Sequence, residues 1–558
     1  MGPRWLGSYP AGVRWDLGIA PAPAWRLLDE AAQRWPDRPA LEFYGRRIDY
    51  RELHALAART AAGLQRLGVR PGDRVGLYLP NCPQYPLAFF GALLAGAVVV
   101  NLSPLDAATT LAHKIEDSGA GLLITLDLAA LYPNAERLLA TTRLRTLVVG
   151  GLADFAGVPI PAQCEPPRDA AHVPFMTLID NDGHHTPQTI DDPASAIAVL
   201  QYTGGTTGTP KGAVLTHANI TAAAAQCVET TQGEQPSMLP GTERMLLVLP
   251  LFHIYAELVM FLGIAMGAEL VLHPKFDVAA VARDIAAKRI TVLFGVPTMF
   301  VALTAWAREH AIDLGSLKHC GSGGAPLPAG IVGPFRQLTG VAITDGWGMS
   351  ETTAAGTFSP RHGESRPGSC GLPLPQVELK VVAVDDPSRE LAAGEHGELC
   401  IRGPNVMRGY WNSPAASAAA LSADGWFRTG DVARIDEAGY VYIVERCKDM
   451  LLCGGFNVYP TIIEEAIYAH PDVAEVCVIG IADAYRGQSP KAFVRLKDGA
   501  ALLTLAALQA FLDGRIGRHE MVRALELRAE LPKTPVGKLS KLALYEEERQ
   551  RAAAAAPG

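Results

Sequence analysis

From about residue 40 onward, short β-rich runs alternate with helix-like patterns along most of the chain: "DRVGLYLP", "AVVVNL", "GLLITL", "RTLVVGG", "AIAVLQYT", "RMLLVLP" and "ITVLFGVP". These runs are mostly apolar. A strand written this way is covered on both faces, so the pattern predicts an α/β fold of packed sheets flanked by helices. Such folds place their chemistry in loops at strand ends. The most apolar run, Leu87 to Val100, is broken by Gly91 and Gly96 and is too short to span about 30 Å of hydrocarbon, so it reads as a buried helix leading into a strand.

Near residue 445 the texture changes to "VERCKDM" followed by "LLCGGFNVYP". Beyond lie two strand-like runs, "AEVCVIGIAD" and "KAFVRL", and then Leu505, Leu508, Phe511, Leu512 and Ile516 at helical spacing. A chain of 558 residues exceeds the usual single core. The expected division is a large domain over residues 1–447 and a small, mobile α+β domain over 448–558.

The net charge of −8 argues against a nucleic-acid surface, which draws on clustered Lys and Arg. The nine cysteines are scattered, without C-x-x-C or zinc spacing, and fit a reducing cytoplasm. The start "MGPRWLGSYPAGVRWD" lacks the design of a signal peptide. Small molecules are the expected partners. A peripheral membrane contact and a homodimer stay open.

The segment "QYTGGTTGTPKGAVLTH" places a polar, glycine-rich loop between two apolar runs. Glycines let consecutive N–H groups turn toward one ligand, Thr203, Thr206, Thr207 and Thr209 add hydroxyls, and Lys211 adds a positive charge. Together they describe an anion cradle. It is not a Walker A loop, because Lys211 follows Pro210 and precedes Gly212.

The order Y-T-G-G-T-T-G-T-P-K-G resembles the signature of the adenylate-forming enzymes: acyl-CoA synthetases, adenylation domains and luciferases. Gly204 replaces their usual serine, as in a subset of bacterial fatty acid–CoA ligases. Further motifs of that family follow in its order: "GSGGAPL", "DGWGMSETT", "GELCIRGPNVMRGYW", "DGWFRTGD", "VERCKDMLLCGGFNVYPTIIE" and "LPKTPVGKLSK". The resemblance covers nearly the whole chain. It implies that a carboxylate attacks the α-phosphate of ATP to give acyl-AMP and pyrophosphate, and that the acyl group then passes to coenzyme A. Two anions must be forced together, so oriented donors and cations have to neutralise the developing charge.

Carried over residue by residue, the resemblance assigns Thr203, Thr206, Thr207, Gly208 and Lys211 to the phosphates, and Glu351 to Mg²⁺, as a hard oxygen ligand for a hard ion. Gly324, Gly346, Trp347, Gly348 and Ser350 would serve the nucleotide, Ser350 standing where threonine is usual. Asp431 and Arg446 resemble the ribose contacts. Lys538 would stabilise the adenylation transition state. Lys448 matches the hinge about which the small domain rotates, and Gly454 and Gly455 would then line the channel for the pantetheine arm of CoA. His253, Tyr255, Gly323 and Met349 would line the acyl site. An ordinary carboxylic acid is already ionised at neutral pH, so no general base is required.

The run Phe252–Ala268, "FHIYAELVMFLGIAMGA", lies where this family builds its acyl pocket. Aliphatic lining suits an alkyl chain, and the expected substrate is a medium- to long-chain fatty acid. Glu257 interrupts the run, at roughly the position of an aromatic gate in some long-chain enzymes. Facing the tunnel, it would repel an ω-carboxylate; facing outward, it would have no role. Two alternatives stay open: a dicarboxylic acid such as pimelate, suggested by the texture of "SYPAGVRWD", and transfer to a carrier protein in place of CoA. About 17 residues follow Lys541, too few for an attached carrier domain.

Overall fold

The computed structural model describes residues 3–203, 209–325, 327, 329–361, 366–453, 456–483, 485–533 and 539–555. Its first strands are β1 (Pro39–Phe43), β2 (Arg46–Asp49), β3 (Arg74–Leu77), β4 (Val98–Asn101), β5 (Leu122–Leu126), β6 (Thr146–Gly150) and β7 (His172–Pro174). They are followed by β8 (Ile197–Thr203), β9 (Lys211–Thr216), β10 (Arg244–Leu247), β11 (Glu269–Leu272), β12 (Val292–Gly295), β13 (His319–Ser322) and β14 (Ile343–Asp345). Two seven-stranded sheets result, ordered β7-β6-β5-β3-β4-β8-β9 and β14-β13-β12-β10-β11-β1-β2.

Both sheets obey one rule. Neighbours in each are parallel, except for one antiparallel edge pair, β8–β9 in the first and β1–β2 in the second. Parallel neighbours need a crossover of a dozen or more residues, which the intervening helices supply. The run Leu87–Val100 behaves as its composition demands: the helix Gln84–Leu94 is buried on every side and leads directly into β4, whose four residues are also buried.

The chain divides into two compact units. The first comprises residues 1–379, 401–427 and 438–440, and holds both large sheets. The second comprises residues 380–400, 428–437 and 441–558. Its core packs Val476, Val478, Ala492 and Val494 of the antiparallel strands Val473–Asp483 and Gly487–Leu496 against Ile463 and Ile467 of the helix Pro460–Tyr468. The helix predicted to reach Ile516 is shorter than its apolar spacing suggested. Thr504 caps it through Ala507 N, and it ends at Leu512, where Asp513 turns extended and Gly514 enters the left-handed region at φ 75°. Ile516 packs on the same core from beyond the helix end, so the periodicity reported a shared face rather than one element. Among the described residues, no helix is long and apolar enough to cross a membrane.

Candidate active site

In the first unit β8 and β9 form an antiparallel hairpin whose last register pair is Thr203 with Lys211. The Thr203 hydroxyl donates to the Lys211 carbonyl at 3.4 Å. The two described ends of the anion-cradle sequence, Thr203 and Lys211, thus pair at the edge of a buried sheet. Thr206, Thr207 and Gly208 lie outside the described residues.

The segment Arg408–Trp411 runs along β9 and extends that edge: Val214 N donates to Gly409 O at 2.9 Å, Arg408 N to Val214 O at 3.0 Å and Trp411 N to Gly212 O at 2.7 Å. This pairing brings the Tyr410 ring to 5.4 Å from the Lys211 ammonium. The Tyr410 hydroxyl donates to Glu351 Oε1 at 2.8 Å, and Glu351 is only 6% exposed. Lys211, Tyr410 and Glu351 therefore form one cluster. Tyr410 lies within the motif "GPNVMRGYW", yet sequence reasoning did not single it out; the strand-like pairing that gives it a role is long-range and carries no local signal.

Glu351 sits in a short helical turn, Ser350–Thr352, followed by two left-handed residues, Thr353 at φ 52° and Ala354 at φ 57°. Non-glycine residues pay for that conformation, and the surroundings must hold it. The buried Asn405 does so: its amide donates to Thr352 O at 3.0 Å and to Ala355 O at 2.5 Å, while Thr353 Oγ1 donates to Asn405 O at 2.8 Å. The turn folds back on the motif "DGWGM" so closely that a Cβ at position 348 would lie 2.1 Å from the Ala354 carbonyl. Only glycine fits there.

Beside this turn opens a cavity of about 1040 Å³ of empty space, counting its mouth. One wall is made by Gly323, Gly324, Gly346, Trp347, Gly348 and Met349, and another by His253, Tyr255, Leu258, Val259 and Leu262. His253 caps the helix Ile254–Ala265, its Nδ1 accepting from Tyr255 N at 3.3 Å. Tyr255, Leu258/Val259 and Leu262 recur at helical spacing and form one stripe. Strand β13 and its continuation supply the facing wall. A Cβ at position 321 would lie 2.6 Å from the Phe294 ring, and one at position 323 would lie 3.1 Å from the Tyr255 ring, so the glycines of "GSGG" make room for two aromatic walls.

Polar groups that the sequence reading passed over also face this cavity. Burial pushes the Asp345 carboxyl up to about 7, although Gly346 N donates to it at 2.9 Å. Burial, and then the neighbouring Arg361 guanidinium, push His319 down to about 4. The His319 Nδ1 is sealed from solvent and has no hydrogen-bond partner among the described residues, and the same is true of Ser322 Oγ. His319 tilts its ring against Phe294, with centroids 5.3 Å apart. Burial drives the Tyr255 hydroxyl well above the ordinary phenol range, and the Asp345 charge adds to the effect.

The remaining predicted residues belong to the second unit. Asp431 and Arg446 are register partners on antiparallel strands, and Arg446 Nε donates to Asp431 Oδ1 at 2.8 Å. Asp431 is 2% exposed, so this cross-strand pair fixes its carboxylate. Lys448 lies in the turn just beyond, where Asp449 N and Met450 N both donate to Arg446 O. Gly454, Gly455 and Lys538 lie outside the described residues. Among the described residues nearby, Lys533 pairs with Leu539, and Ser540 N donates to Pro532 O at 2.8 Å. Just beyond, Lys541 is anchored to Glu445 at 3.0 Å and Glu464 at 3.5 Å.

Known proteins resemble this chain over nearly its whole length. Residues 28–411 match the family model described as AMP-binding enzyme, and residues 462–538 the AMP-binding enzyme C-terminal domain. The long-chain-fatty-acid–CoA ligase of Bacillus subtilis (strain 168) is 36% identical over 561 residues, covering 98% of each chain. A feruloyl-CoA synthase of Amycolatopsis sp is 36% identical over 513 residues, covering 91% of this chain and 96% of that one. Among solved structures, the anthranilate CoA ligase AuaEII in complex with anthranoyl-AMP superposes with a TM-score of 0.84 at 28% identity, covering 96% of this chain and 99% of that one. ATP-bound MatB from Rhodopseudomonas palustris superposes with a TM-score of 0.83 at 28% identity, covering 95% and 99%.

Proposed function

The chain belongs to the AMP-binding enzyme family of adenylate-forming acyl-CoA ligases, and from that premise we propose that its acid is a medium- to long-chain fatty acid, activated as acyl-AMP and transferred to CoA in the cytoplasm. The observation that carries this reading is the aliphatic stripe Leu258, Val259 and Leu262, which continues the cavity away from the glycine-lined nucleotide wall. Such a wall offers an alkyl chain burial at about 25 cal/mol per Å² and no polar partner to satisfy. The name shared by the Bacillus subtilis relative supports it.

In this reading the hairpin tip from Thr203 to Lys211 holds the β- and γ-phosphates. Gly346, Trp347 and Gly348 lie along the adenine, Asp431 accepts from the ribose hydroxyls, and Lys538 meets the α-phosphate and the carboxylate. Lys448 is the hinge that exchanges Lys538 for the CoA-side segment at Gly454 and Gly455, with the small domain running from 448 to 558. Among the described residues no three side chains form a metal cage. Glu351 supplies one carboxylate, braced by Tyr410, which fits a Mg²⁺ ion carried mainly by phosphates and water. Bound there, the ion would neutralise phosphate charge; the protein's own part is to hold that carboxylate and orient the phosphates.

A second reading, a dicarboxylic acid, is favoured by one specific observation. His319 with its unbonded Nδ1 lies four residues before Gly323 along the same wall, about 13 Å at the rise of a strand, and Arg361 stands near it. A distal carboxylate would find a cation and a hydrogen-bond partner there.

Incubation with Mg-ATP, CoA and dodecanoate, followed by mass analysis, tests the proposal. AMP, pyrophosphate and dodecanoyl-CoA are expected together, and are to be lost in Lys538→Ala. Acyl-AMP without thioester would redirect the second step to a carrier protein. ADP, or no acid-dependent turnover, would overturn the reading.

A further inference from the structure

The helix Ile254–Ala265 has a second face that the cavity does not use. Glu257 lies on it with no exposed surface, away from the stripe of Tyr255, Leu258, Val259 and Leu262. The Tyr85 hydroxyl, from the helix Gln84–Leu94, stands 3.0 Å from Glu257 Oε1, 2.7 Å from Asn101 Oδ1 and 2.8 Å from the Leu251 carbonyl. One phenol carries one proton and cannot serve three acceptors. Asn101 cannot be turned to supply another, because its Nδ2 donates to Gln201 Oε1 at 2.8 Å, while Gln201 Nε2 donates to the Phe252 carbonyl at 3.1 Å. The second Asn101 amide hydrogen is directed to the Glu257 carboxyl and not to the Tyr85 oxygen, so the proton that the oxygens around Tyr85 lack comes from the Glu257 carboxyl. Protonated, it donates to the Tyr85 oxygen and leaves the Tyr85 proton for Asn101 or Leu251. Ionised, it would place a buried charge among neutral groups with its Oε2 unbonded.

We propose that Glu257 acts as an uncharged carboxylic acid, a positioning residue whose proton closes a hydrogen-bond circuit between the acyl-site loop and the strand that carries the phosphate loop. The circuit runs from Glu257 through Tyr85 and Asn101 to Gln201, two residues before Thr203, and returns through the Phe252 carbonyl. It closes on itself where Glu257 N donates to His253 O at 3.2 Å. Asn81 pins the same loop from below, accepting from Leu251 N at 2.8 Å and donating to Leu247 O and Leu249 O. His253 at the acyl site and Thr203 at the phosphate site are thus held in one frame. Misplacing either substrate by a fraction of an ångström is enough to slow an in-line attack.

Burial pushes the Glu257 carboxyl up to about 8, against the smaller opposing pull of its hydrogen bonds with Asn101 and Tyr85, so the circuit is complete at neutral pH and opens as the solution turns alkaline. The ionisable groups facing it are Tyr85 and, behind that, Cys82, both pushed up by burial. The sheet presents the neutral amides of Asn101 and Gln201. The packed helices Arg26–Arg34 and His217–Thr230 bring no charge that acts on Glu257.

The proposal rests on acid activation by this site and not on which acid is used. Its test compares the wild type with Glu257→Gln, which donates but never ionises, and Glu257→Leu, which fills the space without donating. Dodecanoate-dependent AMP release and ATP affinity, the latter by fluorescence titration without acid, are measured between about pH 6.5 and 9.5. Glu257→Gln is expected within about threefold of the wild type near pH 7, and to escape a roughly tenfold alkaline loss that the wild type shows near pH 9. Glu257→Leu is expected to raise KM for both dodecanoate and ATP about tenfold near pH 7. A shared alkaline loss in wild type and Glu257→Gln, or unchanged KM values in Glu257→Leu despite a lowered melting temperature, would overturn it. If dodecanoate is not turned over at all, the substrate reading fails alone, and ATP affinity still decides this one: it is expected to weaken above about pH 8 in the wild type but not in Glu257→Gln.

Discussion

On one side of the helix Ile254–Ala265, Leu258, Val259 and Leu262 stand against a cavity, while on the other Glu257 meets Tyr85, and Phe261 packs on Phe89 with ring centroids 5.4 Å apart. Both sides are almost wholly apolar in sequence. They differ in what completes them: the cavity side waits for a ligand, whereas the core side is finished by the protein and admits no change in volume or proton count. A second contrast runs alongside. Glu257 and Glu351 are both buried and both meet a tyrosine hydroxyl, yet Glu257 lies in a neutral enclosure, while Glu351 lies in the cluster that contains Lys211. Burial by itself therefore says little about a carboxyl's role; its neighbours decide it.

The core side is the easier one to break. Phe261→Ala should cost about 3–5 kcal/mol of stability, read by denaturant titration, and leave the preference among acid lengths unchanged below its melting temperature. A shifted length preference would mean that the two faces are not separate. On the cavity side, Val259→Trp should lower kcat/KM for dodecanoate at least about a hundredfold while sparing a two- or four-carbon acid, with little change in stability. Equal losses for long and short acids would put the acyl chain elsewhere. Tyr410→Phe removes one hydrogen bond to a carboxylate and should lower kcat by roughly tenfold or somewhat more, without altering the length preference.

The smallest effect sharpens the contrast between the two carboxyls. Glu257 has its folded-state value raised from an ordinary 4.5 to about 8, so the folded protein holds a proton that the unfolded chain releases. The stability this contributes is fully present below about 4.5 and is lost as pH rises through about 8. Between about pH 7 and 9, wild type should therefore lose about 1.4 kcal/mol relative to Glu257→Gln. Parallel stability curves for the two proteins would show that Glu257 is already ionised.

The buried strands were legible because a parallel sheet covered on both faces leaves continuous apolar runs, and β3 to β6, β8, β10 and β12 fall within the runs read from sequence. The same continuity hid the two faces of the helix Ile254–Ala265. When both sides are apolar, no periodicity remains to say which one meets a ligand, so Glu257 could be read only as facing a tunnel or facing outward. It does neither. Motif order brought Trp347, Gly348, Met349, His253 and Tyr255 to attention, and the fold gathers them at one cavity. Tyr410, Asn405, His319 and Arg361 went unnoticed because their importance comes from partners far away in sequence.

The most direct test of the account offers the enzyme equal amounts of dodecanoate, dodecanedioate and ferulate together with Mg-ATP and CoA, and weighs the thioesters formed. The proposed assignment of Leu258, Val259 and Leu262 to the acyl chain predicts dodecanoyl-CoA as the dominant product, with AMP in equal amount. Dominance of feruloyl-CoA would contradict the assignment of that wall to an alkyl chain, and dominance of the dodecanedioyl thioester would contradict the monocarboxylic reading.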